Sequence, residues 1–485
     1  MESVTTMESV TTMESVTTHD IPPVFHTSSK GKTLSLSSAK HALLAQSLIK
    51  PVGRVFYLQR CGVPLSSALA GEYSHPACHI ASARVFHSDT ILHVSGGWHD
   101  AGDYGRYVVP ACKAVADMLL AFRATPEAFG DDWTIPESGN GVADILDEVR
   151  FELDWLFKMQ RSDGGVYHKV TCVSFPDMVS PEAETNELFV FPVSTTATGD
   201  FAGVMAMAYS VYESVDKTFA KKCLRAAISA YEFLNHSAPL PFHNPAGVVT
   251  GEYDDENDAD ERYFAAAALY QATGLNQYLQ DAAALYKNGR SADFGWADMG
   301  GYGNALLFFG DRVCEDDLLV SRIRADLLAT ADRLAERTEA SEWGVSLTNF
   351  LWGSNMYLLN NAMALLLAND AQENERYVRA ARAHLDYILG HNPLGVNYIT
   401  GVDETSPKHP HHRPSAAAGK AMPGMLVGGP DEYLHDLAAR TLLCGKPAAE
   451  RYLDSVESYS TNEVAIYWNS VLLYVLARFS RFESK

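Results

Sequence analysis

Apolar residues recur every three or four positions through most of the chain. A period near 3.6 predicts amphipathic or buried helices over Ser38–Leu48, Ala111–Arg123, Val142–Gln160, Asp200–Val215, Thr218–Leu234 and Asp258–Thr273. It continues over Asn276–Tyr286, Leu318–Arg337, Met356–Asn369, Asn374–Leu389, Tyr433–Leu443 and Val464–Phe482. No sustained two-residue alternation separates them, so the chain is expected to be all-α. Long stretches rich in Gly, Pro and His lie between the helices, at His75–Tyr107, Gly164–Thr196, Gly390–Gly429 and Gly445–Asn462. Loops longer than about 15 residues in a compact domain are usually functional. The expectation is one large helical domain with its chemistry on a loop-rich face, and about twelve helices suggest an (α/α)6 toroid.

Composition adds bounds. The 485 residues are 47% hydrophobic and 20% charged, enough for a large core. No apolar run reaches the roughly 18 residues of a membrane span. A net charge of -22 repels nucleic acid and anionic membranes but not neutral polymers. Seven scattered cysteines do not form a disulfide framework; a reduced compartment, or metal use of some thiols, fits better. Met1–Thr18 repeats Met-Glu-Ser-Val-Thr-Thr and lacks the apolar stretch of a signal peptide. Residues 1–32 are expected to be a disordered tail and 33–485 the folded domain. The compartment is left open: cytoplasmic, or secreted by another route or with the signal removed.

Chemistry concentrates in five segments. Gly96-Gly97-Trp98-His99-Asp100-Ala101-Gly102-Asp103-Tyr104-Gly105-Arg106-Tyr107 holds two carboxylates three residues apart, among glycines and aromatics. It reads either as a turn whose Asp side chains cap backbone amides or as a site that uses negative charge. Glu463 stands where a polar loop meets an apolar helix. It is either a helix-start Glu favoured by the macrodipole or a desolvated general acid flanked by Tyr, Val and Trp. A proton-donating Glu opposite a water-activating Asp is the minimal set for inverting glycoside hydrolysis, which needs roughly 6.5–9.5 Å between the carboxyls. Cys61, Cys78, His79 and His99 could complete a closed Cys2His2 zinc set, structural because no ligand position stays open; buried free thiols are the other reading. Seven carboxylates fall between Glu252 and Glu261, a solvated acidic loop or a calcium site outside the EF-hand pattern. Lys408-His409-Pro410-His411-His412-Arg413 offers donors to sugar hydroxyls, or is merely a solvated basic loop.

Together these segments resemble family 9 of the glycoside hydrolases, the inverting cellulases, most closely the bacterial branch that usually carries an N-terminal immunoglobulin-like domain. The resemblance runs from about Val55 to the C-terminus. Its marks include Phe56-Tyr57-Leu58-Gln59-Arg60-Cys61-Gly62, His75-Pro76-Ala77-Cys78-His79, the segment around Asp100 and Asp103, Gly164-Gly165-Val166-Tyr167-His168-Lys169 and Ser194-Thr195-Thr196-Ala197-Thr198. Trp352-Gly353-Ser354-Asn355-Met356, Gly390-His391-Asn392-Pro393, Pro410-His411-His412-Arg413 and Tyr459–Asn469 complete them.

The resemblance implies an (α/α)6 barrel with an open cleft, Asp103 as general base, Asp100 as its helper on the attacking water, and Glu463 as general acid. It implies sugar binding by His411 and Arg413, with Tyr459 and Trp352 lining the cleft. It implies structural zinc on Cys61, Cys78, His79 and His99. Calcium would sit on Asp260, Glu261 and Asp298, with backbone carbonyls near Glu256 and Asn257. No organic cofactor is expected, and the chain is expected to act as a monomer on a β-1,4-glucan or cello-oligosaccharide. Two departures stand out: no immunoglobulin-like domain precedes the motifs, and Ser458 stands where many members have Asp. The leading expectation is an endo-acting β-1,4-glucanase. The alternative is an exo-acting cellodextrinase or exo-β-glucosaminidase of the same fold. A binding-only toroid or a metal-dependent hydrolase is a third reading, which the paired Asp and Glu argue against.

Overall fold

The computed structural model describes residues 38–286 and 293–481. The expected tail, residues 1–32, lies outside them. Among the described residues, the helices Val108–Ala124, Thr195–Tyr212, Ala259–Thr273, Gly300–Phe309, Ser354–Ala371 and Ile466–Phe479 stand side by side as an inner ring. Their side chains are buried on nearly every face, as expected for helices that are apolar all round. Small residues let them approach. A Cβ on Gly199 would fall 2.6 Å from the Cβ of Glu261, and one on Gly203 would enter the ring of Phe264.

The outer helices are Ser38–Leu58, Asp144–Met159, Lys217–Asn235, Asn276–Leu285, Asp317–Ala340 and Glu375–Ile388, each packed on an inner neighbour. These bury one stripe. Glu375–Ile388 turns Tyr377, Ala380, Ala381, His384, Leu385 and Ile388 inward and its Arg and Glu outward. Asp216, Asp316 and Asn374 cap the starts of three of them with side-chain oxygens. Six helices inside six is the (α/α)6 barrel.

Its membership differs from the sequence expectation at one place on each side. Gly300–Phe309 is an inner helix that periodicity does not reveal, because Gly-Gly-Tyr-Gly opens it and it is buried on all faces. Tyr433–Leu443 is instead a short helix, Leu437–Leu443, outside the ring. A small mixed sheet is a further departure. Its strands run in the order Ile91–Leu92, Ala83–Val85, Phe189–Val190, Lys169–Thr171 and Arg106–Tyr107. Strands of two or three residues are too short to show alternation. Its strand Arg106–Tyr107 directly follows the paired Asp residues and runs into the inner helix Val108–Ala124. No described helix is long and apolar enough to cross a membrane. All seven cysteines are free, and only Cys444 is exposed.

Candidate active site

The two-Asp loop is held from three sides. Below it, Gly97 adopts φ +78°, and a Cβ there would meet the Trp155 ring at 2.7 Å, so only glycine lets the loop lie on Trp155. At its start, Trp98 donates its backbone N–H to Glu152 Oε2 at 2.6 Å. At Gly102 the backbone packs so tightly on the His411 carbonyl that a side chain would collide with it. Arg413 locks this approach: its backbone N–H and Nη1 both donate to the Gly102 carbonyl, at 3.1 and 2.8 Å.

Asp103 Oδ2 accepts from the Gly105 backbone N–H at 3.0 Å and from the Tyr107 hydroxyl at 3.0 Å. Its Oδ1 has no protein partner among the described residues. Asp100 is fully buried. Its Oδ2 accepts from the Tyr253 hydroxyl at 2.5 Å, and its Oδ1 is unpartnered. Burial pushes the Asp100 carboxyl well above its ordinary range; the Tyr253 hydrogen bond opposes this and the Asp103 charge adds to it. Tyr253 holds φ +50°, uncommon for a residue with a side chain. Nothing near Tyr253 in the sequence announces this contact across 153 positions.

Glu463 arrives from the far end of the chain. The turn Tyr459–Asn462 ends on it, its carbonyl accepts from Gly428 N–H at 2.9 Å, and it lies in a parallel bridge with His411. Three residues on, Ile466 donates its N–H to the Asp100 carbonyl at 2.8 Å, which draws this segment against the two-Asp loop. Burial raises the Glu463 carboxyl well above the usual glutamate range, and the charges of Asp103 and Asp100 raise it further. The acidic pair and the distant Glu are thus one electrostatic unit.

Around them stand the other expected residues. Trp352 and Tyr459 are exposed with rings 5.3 Å apart, and His411 lies 6.0 Å from Tyr459. His411 Nδ1 faces the Val456 carbonyl at 2.5 Å, and burial lowers its pKa. Tyr433 and His435 extend the aromatic surface, with ring centroids 5.9 Å apart; no motif in the sequence singles them out. Arg413 is only 5% exposed, and its Nε and Nη2 both bind the Pro176 carbonyl. It therefore clamps two loops, and only its remaining N–H groups could face a sugar. At the Ser458 departure, the side chain meets a carboxylate: Asp436 Oδ2 accepts from Ser458 Oγ at 2.9 Å and from Ser460 N–H and Oγ at 3.0 and 2.8 Å.

Two groups of donors converge as metal sites would require. One ligand atom from each of Cys61, Cys78, His79 and His99 falls within 4.8 Å of the others, and all four residues are buried. His99 Nε2 lies 3.3 Å from His79 Nδ1 and 3.8 Å from Cys78 Sγ. Two thiols and two imidazoles aimed at one point suit a four-coordinate ion. The second group is Asp255, Asp260 and Glu261. Both oxygens of buried Glu261, and both of buried Asp200 beside them, have no partner. Oxygens alone, uncompensated, suit a hard cation. The expected third carboxylate, Asp298, is not among these three, and Asp255 is. Asp298 Oδ1 accepts the Gly300 N–H at the start of Gly300–Phe309, while Met299 N–H is the contact to Asp260, at 2.8 Å.

The chain is similar in sequence and fold to known proteins. A cellodextrinase of Butyrivibrio fibrisolvens is 40% identical over 89% of this chain and 83% of its own length. Endoglucanase D of Acetivibrio thermocellus is 36% identical over 88% of this chain and 68% of its own. The solved structure of a single-mutant thermostable endoglucanase from Alicyclobacillus acidocaldarius superposes with a TM-score of 0.86 at 40% identity, covering 90% of this chain and 84% of that one. The sequence profile of glycosyl hydrolase family 9 matches residues 46–476. With the barrel, the acidic pair and the distant Glu all inside that match, the chain belongs to glycosyl hydrolase family 9.

Proposed function

We propose that this glycoside hydrolase is an endo-acting β-1,4-glucanase that cleaves with inversion. The observation that carries the reading is the meeting of Asp100, Asp103 and Glu463 on one loop-rich face. Asp103, its Oδ2 held by Gly105 and Tyr107, turns its other oxygen to a water and takes that water's proton as the oxygen attacks the anomeric carbon. Asp100 helps hold the water. Glu463, kept protonated by burial and by the acidic pair, gives its proton to the glycosidic oxygen as the C–O bond breaks. One proton enters at Asp103 and one leaves at Glu463, and the reducing end forms with the opposite configuration. Trp352 and Tyr459 stack on glucosyl rings, with His411 and Arg413 near the cleavage point. A net charge of -22 suits a neutral glucan. Zinc on Cys61, Cys78, His79 and His99 would anchor the loop that carries Asp100, and calcium on Asp260, Glu261 and Asp255 would brace the segment that carries Tyr253. The protein acts as a monomer.

An exo-acting cellodextrinase is the second reading, favoured by the Butyrivibrio relative. Products from cellohexaose, with the viscosity of carboxymethylcellulose, separate the two. Rapid viscosity loss with mixed oligomers supports endo action. A single short product released from one end with slow viscosity loss overturns it.

A further inference from the structure

One buried charge near the site has no part in the steps above. Lys169 is fully buried in the strand Lys169–Thr171, directly opposite Tyr107 in antiparallel register. The two residues therefore share a face of the sheet. Its Nζ donates to Asn244 Oδ1 at 2.6 Å and to the Gly251 carbonyl at 2.6 Å, with Thr250 Oγ1 at 3.3 Å. It lies 5.6 Å from the Tyr107 ring centroid, 4.7 Å from that of Phe191 and 5.4 Å from that of Phe242. No carboxylate touches it. Burying an ammonium among neutral acceptors and rings is costly, and such a group persists where its charge is used.

Its contacts lead to Asp103. Gly251, whose carbonyl Lys169 holds, donates its N–H to the Tyr107 oxygen at 3.2 Å. Tyr107 donates its hydroxyl to Asp103 Oδ2. We propose that Lys169 is a positioning residue for Asp103, acting through Gly251 and Tyr107 to fix the phenol that binds the carboxylate. Burial lowers the Lys169 amine to about 7, and Asp103 is the charge that most opposes this. The groups facing Lys169 are Asp103 and Tyr107 from the two-Asp loop and its strand, Glu252 beyond Gly251, and His168 and Cys172 along its own chain.

The inference rests on Asp103 being the base, so Asp103→Ala is measured in parallel. Lys169→Met and Lys169→Gln remove the charge, and Lys169→Arg keeps it. Removing the cation weakens both the hold on Gly251 and Tyr107 and the field that favours negative charge beside them. The acid side of the kcat/KM profile on cellohexaose should then move up by about one pH unit. Near neutral pH kcat should fall about tenfold, with KM changed less than about threefold. Lys169→Arg should keep the wild-type acid side. Tyr107→Phe should cost a similar factor, and the double variant Lys169→Met/Tyr107→Phe should be no worse than about twofold below the poorer single one, because both act through one contact.

An unmoved acid side in the folded Met or Gln variant overturns the inference, as do fully additive losses. If only Lys169→Arg folds, an acid side displaced by more than about half a pH unit overturns it. Activity retained in Asp103→Ala would instead refute the assignment of the base. An inactive Asp103→Ala with an unmoved Lys169→Met profile refutes this inference alone.

Discussion

Asp436 is the residue whose loss should reveal how the proton donor is held. Its Oδ1 caps the helix Leu437–Leu443 through Ala439 N–H at 2.6 Å, and its Oδ2 takes three donors from Ser458 and Ser460. It is 1% exposed. Burial alone would raise its pKa, but these donors outweigh burial and hold it below the ordinary aspartate value. In Asp436→Ala the lost cap costs about 1 kcal/mol. The stranded Ser460 N–H costs about 1–3 kcal/mol more. Ser458 Oγ keeps its contact with Thr461 Oγ1 at 2.8 Å, whereas the buried Ser460 hydroxyl loses its acceptor, at a further cost of about 1–3 kcal/mol. Urea unfolding should therefore show a loss of about 3–7 kcal/mol.

The turn these donors close ends at Glu463, so proton donation should suffer as well. Cellohexaose, whose leaving oxygen needs the proton, should be cleaved about tenfold more slowly. 2,4-Dinitrophenyl β-cellobioside, whose leaving group departs as an anion, should be within about threefold of wild type. The sign with pH follows from the depressed pKa. The stability Asp436 contributes is present above the unfolded value and is lost as pH falls through the folded one. The gap between wild type and Asp436→Asn should thus close below about pH 3.9. A stability loss under about 0.5 kcal/mol, or equal losses on both substrates, would refute the reasoning.

Glu463→Gln should fold normally and lose about a hundred- to ten-thousandfold on cellohexaose, with a much smaller loss on the dinitrophenyl substrate. Because Glu463 is raised, it keeps its proton to higher pH than an ordinary glutamate. The alkaline side of the wild-type kcat profile should lie well above about pH 4.5, and should vanish in the variant. For the metals, purified protein should carry close to one zinc by elemental analysis, and Cys61→Ser should lose it together with several degrees of Tm. Calcium chelation should lower Tm and readdition restore it, and Glu261→Gln should abolish that response.

The fold is legible where the hydrophobic stripe is one-sided. For Lys217–Asn235 and Glu375–Ile388 the periodicity predicts both ends within a residue or so, since each has a wet face and a side-chain cap at its start. Gly300–Phe309 is not legible: a helix buried on every face shows no period, and its opening glycines read as a turn. The short strands escape for the opposite reason. Two residues carry no alternation, and their pairing, such as Tyr107 with Lys169, is decided by strands far apart in the chain.

The site divides along the same physical line. Asp100, Asp103 and His99 sit in one glycine-rich segment, and Glu463 lies at a polar–apolar junction, so local composition marks them. The groups that tune them leave no such mark. Tyr253 reaches Asp100 from 153 residues away, Lys169 reaches Asp103 only through Tyr107 and Gly251, and Asp436 reaches Glu463 only through a turn. Each of these is an ordinary polar residue in an ordinary loop or strand until the barrel closes. The departure at Ser458 makes the point most directly. Read alone, it deletes a carboxylate beside the proton donor. In the folded chain a carboxylate from 22 positions upstream, Asp436, has Ser458 as its hydrogen-bond donor. With Asp436 already beside this position, aspartate at position 458 should harm this protein. Ser458→Asp would set two buried carboxylates against each other beside a third group, Glu463, that already resists ionising. It should cost stability most at neutral pH, where both are charged, and least below about pH 4, where they are not. Equal losses at about pH 4 and about pH 7 would show that repulsion is not the cause.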